Sequence, residues 1–140
     1  MLRHIEVSLR CWHPQGQSIK GKEFIDRLSV ESGYRLVVGS GERWQAARVV
    51  LVDLSAASFA EQEEPSEAYC RVLQESLQKA GGWLDGIPKS AMEEIRKDGF
   101  AIDLFLDALI DQDQLDLLIP AQLYQALAKL GVAIQLITNG

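Results

Sequence analysis

A chain of 140 residues with 47% apolar and 24% charged side chains has the make-up of one ordinary globular domain, long enough to bury a core without disulfide or metal staples. Disordered, collagen-like and multidomain-enzyme classes are disfavoured. Fourteen Lys and Arg stand against twenty Asp and Glu, a formal charge of −6 at pH 7, which disfavours phosphate backbones and anionic membrane surfaces; it would attract a basic protein partner, though keeping the domain soluble is the simpler reading.

Residues 3–12 alternate, with Ile5, Val7, Leu9 and Cys11 on one side and Glu6, Ser8 and Arg10 on the other. This predicts a half-buried strand, broken at His13-Pro14-Gln15-Gly16-Gln17. Ser18 is placed to cap a helix running to Glu31, with Phe24, Ile25 and Leu28 as its apolar stripe and Gly33 as its stop. Tyr34–Val38 and Ala47–Leu54 read as an antiparallel strand pair turned through Gly39-Ser40-Gly41. Residues 55–65 form a polar connection, made acidic by Glu61, Glu63 and Glu64, and are expected to be a mobile loop. Ser66 is expected to cap a helix over 67–80 that carries Tyr69, Val72, Leu73, Leu77 and Ala80 and ends at Gly81-Gly82.

Trp83 is expected to pin the turn that follows. Ser90 with Glu93 reads as a capping box for a short helix stopping at Gly99. Phe100–Ile110 alternates again, Asp111-Gln112-Asp113 reads as a turn, and Leu115–Ile119 as a returning strand. Pro120 suits the first turn of a helix striped by Leu123, Ala126, Leu127 and Leu130 and closed by Gly131. Val132, Ile134 and Leu136 make the closing strand, in antiparallel or edge pairing. These elements predict an α+β domain over residues 1–140: a single mixed or antiparallel sheet with about four helices packed mainly on one face.

Arg3, His4, Glu6 and Arg10 interrupt any apolar leader, and no run approaches the roughly 18 apolar residues of a membrane span. A cytoplasmic protein is expected, with Cys11 and Cys70 as buried free thiols.

The acids Asp107, Asp111, Asp113 and Asp116 offer oxygen ligands for Ca²⁺ or Mg²⁺, or a carboxylate pair for hydrolysis. They lack the Gly and Glu of a calcium loop and read better as a solvated hairpin tip. Cys11, His13, Cys70 and His4 lack the paired spacing of a zinc site, and a buried thiol beside an imidazole is the simpler reading. Gly39-Ser40-Gly41-Glu42-Arg43 has no Lys-Ser/Thr of a phosphate loop, and Trp44 occupies the last position of a GxGxxG pattern, so a hairpin turn is preferred. Trp12-His13 and Arg43-Trp44 place indoles beside polar groups, as interfaces and small-ligand pockets do. No catalytic residue, metal or cofactor is assigned.

The opening strand ending Leu9-Arg10-Cys11-Trp12 before a Pro-containing loop and helix resembles the start of the bacterial family called domain of unknown function 4279. The last third is similar too: the alternating Ile102–Leu106, the segment reaching Pro120, the Leu-rich helix, and Leu130-Gly131-Val132 before a final strand. In the middle, Gly39–Trp44 alone resembles the family. The resemblance implies an α+β fold and a bacterial source, with no established catalytic residues. By analogy, small acidic proteins of this sort accompany or neutralise bacterial toxins.

The expected function is therefore protein binding rather than catalysis, in its most concrete form immunity against a basic toxin. Glu61, Glu63, Glu64, Asp107, Asp111 and Asp113 would steer the partner, and Trp12, Arg43 and Trp44 would anchor it. The alternatives are a small enzyme or ligand-binding domain with a pocket near Cys11, His13, Arg43 and Trp44, and a self-associating module that forms a homodimer through a strand or helix face.

Overall fold

Alternation gives the first strand one core-facing side, and pairing along both of its edges puts it at the centre of the sheet. In the computed structural model, which describes residues 2–14, 19–38, 47–111 and 115–139, β1 (Leu2–Trp12) buries Ile5, Val7, Leu9 and Cys11. It is flanked on both sides by antiparallel partners, β3 (Ala47–Ser55) and β4 (Ala101–Ile110). Short β2 (Arg35–Val38) pairs antiparallel with β3, and β5 (Ala133–Asn139) pairs parallel with β4. The sheet is thus mixed, in the order β2-β3-β1-β4-β5. Val7 stands opposite Val52 and Leu106, and Leu9 opposite Val49 and Leu104, so apolar rows cross three strands on one face.

The uninterrupted run Val49–Val52 does not alternate, and a bulge explains it. Between Val7 and Ser8 the register with β3 skips Leu51. The extra residue lets Val49 and Val52 both face the core.

Among the described residues four helices complete the α+β fold: α1 (Ile19–Ser32), α2 (Pro65–Asp85), α3 (Lys89–Lys97) and α4 (Ala121–Leu130). Their stripes, Phe24, Ile25 and Leu28 on α1, Leu73, Leu77 and Leu84 on α2, Met92 and Ile95 on α3, and Leu123, Leu127 and Leu130 on α4, join the apolar sheet face in one core. Gly33, Gly99 and Gly131 follow α1, α3 and α4 with positive φ.

Several local expectations are corrected. Helix α2 runs straight through Gly81-Gly82 to Asp85. A Cβ at Gly81 would stand 3.0 Å from the backbone of Leu123, so this glycine serves the close approach of α2 to α4 rather than a stop. Trp83 accordingly lies in the last turn of α2, edge-on to Tyr34 with ring centroids 5.2 Å apart.

The caps differ as well. Helix α2 starts at Pro65 behind Glu64, and α3 starts behind Pro88. Neither has a side-chain cap bond, so Ser66 and Ser90 lie inside their helices. Proline's fixed φ and missing N–H suit it to a helix start, which moves both boundaries forward of the serines.

Residues 115–119 are not a strand. Strand β4 has two hydrogen-bonding edges, and β1 and β5 occupy both. The segment instead passes over α2, where Gln74 Nε2 donates to the Leu118 carbonyl at 2.7 Å. For β5, parallel edge pairing replaces the antiparallel alternative, because α4 carries the chain back before the strand begins. Residues 56–59 form a 3-10 turn within the expected connection. The turn Gly39-Ser40-Gly41 and the cap Ser18 lie outside the described residues.

Candidate functional site

The register fixes where each singled-out residue falls. Trp12 ends β1 opposite Ala101, and beside it Cys11 pairs with Ala47, the first residue of β3. His4, at the other end of β1, pairs with Ser55, the last residue of β3, and Leu2 pairs with Ile110, the last of β4. Asp111 follows Ile110, and Glu61, Glu63 and Glu64 lie between the 3-10 turn and α2, so these acids belong to the His4 end. Trp12 is eight strand residues from His4, about 26 Å. The sheet therefore separates Trp12 from the acidic residues. Arg43, Trp44 and Asp113 lie outside the described residues.

Trp12 is half-buried and lies against Arg10, whose guanidinium carbon is 5.0 Å from the indole centroid and 4.0 Å from that of Phe105. Arg10 also donates two hydrogen bonds to Asp103, at 2.8 and 2.6 Å, and one to Gln135 at 2.9 Å. This cluster escaped the sequence reading. Its signal is there, since Arg10 and Asp103 both fall on the outward side of their alternating strands, but their pairing needs the register. The same outward face pairs Arg48 with Glu6 at 3.2 Å, and Asp53 with both His4 and Arg35 at 2.6 and 3.1 Å. Asp107 accepts a bond from Asn139 at 3.0 Å. Cross-strand pairing thus largely neutralises the open face.

Cys11 is 1% exposed, and burial pushes its thiol from 9.0 up to about 12. It is protonated at neutral pH, whereas thiol nucleophiles act as thiolates. His13 packs edge-on against Phe100, centroids 5.1 Å apart, and over Gly99, where an added Cβ would meet His13 Nε2 at 2.8 Å. Cys70 is exposed rather than buried: it follows Tyr69 on α2 and falls outside the stripe Tyr69, Leu73, Leu77. Among the described residues no group of three or more His, Cys, Asp or Glu is arranged to hold a metal ion. No described helix is long and apolar enough to cross a membrane.

At the acidic end, an open groove of about 330 Å³ is walled by Gln62, Glu63, Glu64, Glu67, Ala68 and Arg71. A hydrogen bond between the Glu64 and Glu67 side chains raises the Glu64 carboxyl above its ordinary value, because one of two adjoining carboxyl groups holds its proton more tightly. Glu67 sits in the first turn of α2, where the helix dipole favours an acid. The groove contains two of the predicted acids, Glu63 and Glu64, and adds Glu67 and Arg71, which helical periodicity alone does not single out. A second groove, of about 320 Å³, lies between α1 and α3 and is lined in part by Glu23, Phe24, Arg27, Glu94 and Asp98.

Fold and site together define an α+β protein with one helix-covered sheet face, one self-neutralised polar face, and an acidic end. The chain matches no protein-family model, no curated protein and no solved structure.

Proposed function

We propose that this chain is a protein-binding module of the bacterial cytoplasm that engages a basic partner at its acidic end, with toxin neutralisation as the specific role. The observation that carries this reading is the groove at the start of α2, where Glu63, Glu64 and Glu67 set three carboxylates against one cation, Arg71. A lysine or arginine side chain entering the groove would form charge-assisted pairs with these carboxylates. Exposed Glu61 beside it, and the net charge of −6, would speed the encounter. The open sheet face supports this choice of end, since its cations and carboxylates already pair with one another. The bacterial source in this proposal rests on the resemblance to the domain of unknown function 4279 family alone.

The test is capture from host lysate at low and high salt, followed by association kinetics with the captured protein. A basic protein retained stoichiometrically and released by salt is expected. Glu61→Lys, Glu63→Lys and Glu64→Lys combined should slow its association about tenfold or more without changing the circular dichroism of the module. An unchanged association rate, or no specific protein at either salt, overturns the proposal.

A further inference from the structure

Every residue of β5 is exposed, yet the strand carries no charge. Its sequence, Ala-Ile-Gln-Leu-Ile-Thr-Asn, has no proline, and its register with β4 runs unbroken from Ala133 to Asn139. Sheets ordinarily guard an edge with charges, prolines, bulges or brevity, because a row of unpaired N–H and C=O groups templates another strand. The opposite edge is guarded in this way: β2 has four residues and carries Arg35. On β5, apolar side chains stand out on both faces. Ile134 and Leu136, beside Leu104 and Leu106, are 37% and 48% exposed, and Ile137, beside Asp107 on the open face, is 40% exposed.

We propose that β5 pairs antiparallel with β5 of a second copy of this chain, about a two-fold axis through Leu136, joining two five-stranded sheets into one. In the register that pairs all seven residues, Leu136 faces its own counterpart, Gln135 faces Ile137 and Ile134 faces Thr138. Ile134 and Leu136 of both copies then form one apolar strip on the helix side, and each Ile137 lies along the stem of the other copy's Gln135.

Charge selects the occupant. Two uncharged strands meet at no like-charge cost although each copy carries −6 overall. A charged foreign strand would be desolvated against an edge that offers no counter-charge. The arrangement also closes on itself, because the edge left outside on each copy is guarded β2, so growth stops at a dimer instead of continuing as a filament. This edge is separate from the acidic groove, and the inference does not rest on the basic-partner reading.

Sedimentation of the full chain over a dilution series tests it. The expected mass is twice 15.6 kDa at high concentration, falling to 15.6 kDa on dilution. Leu136→Lys places two cations at the axis and should give 15.6 kDa throughout, with unchanged circular dichroism. Ile137→Lys, on the opposite face of the strand, is the second variant and should also be monomeric, whereas Val37→Lys on β2 should leave the dimer intact. A wild-type mass of 15.6 kDa at every concentration, assembly beyond the dimer, or a dimer that survives both β5 substitutions overturns the inference.

Discussion

Asp103 is the charged side chain whose removal should be felt most. It is 9% exposed and holds both bonds from Arg10, itself 21% exposed. Asp103→Ala leaves the guanidinium half-stripped of water without its counter-charge, at an expected cost of about 2–4 kcal/mol in urea unfolding. The joint replacement Arg10→Met with Asp103→Leu should cost less than that single change, because a broken buried pair is worse than none.

Cys11 makes a second residue-scale prediction. The thiol titrates at an ordinary 9.0 when unfolded and at about 12 when buried, and Tyr69, which donates to the Leu54 carbonyl, moves from 10.0 to about 12 through burial first and nearby Cys70 second. Above about pH 9 the unfolded chain therefore loses protons that the folded chain keeps. The stability these groups contribute is complete below that pH and is lost as the pH rises toward 12. Urea midpoints should fall across this window, and less steeply for Cys11→Ala. In the native state a thiol reagent should modify Cys70 rapidly and Cys11 only after unfolding. Equally rapid labelling of both would instead favour a reactive Cys11 and a catalytic reading of the Trp12 end.

At the scale of elements, neighbouring glycines in α2 separate two physical effects. Gly82 has nothing within 4 Å of an added Cβ, so Gly82→Ala should stabilise by about 0.5–1 kcal/mol through helix propensity. Gly81→Ala gains the same propensity but drives its Cβ against the backbone of Leu123, which cannot rotate away. A net loss of about 1–3 kcal/mol is expected in the same unfolding assay. The pair also shows where sequence reading fails. A Gly-Gly step looks like a helix stop because its tertiary reason, the crossing of α4, lies some forty residues further along the chain. The missing strand at 115–119 is the same kind of error: its apolar run Leu115, Leu117, Leu118 and Ile119 is real, but whether an edge is vacant depends on the whole sheet.

For the whole molecule, what local chemistry dictates was legible. Period-two alternation places β1 and β4, helical stripes place the core faces of α1, α2 and α4, and Gly33 and Gly131 mark two helix ends. The strand order was not legible, and neither was the parallel pairing of β5 or the neutralisation of the open face, because each depends on partners distant in sequence. For the candidate site, the acids Glu61, Glu63 and Glu64 stand out from composition alone, whereas their separation from Trp12 follows only from the register.

The central position of β1 also has a cost in time. The first strand to be synthesised pairs with one that begins at Ala47 and another that begins at Ala101. Val7 must wait for Leu106, about a hundred residues later, or roughly 5–20 s at ordinary translation speeds. β3 is made early enough to pair with one edge of β1, but until β4 emerges the other edge stays open, and the face carrying Ile5, Val7 and Leu9 is an incomplete apolar ribbon that chaperones are suited to shield.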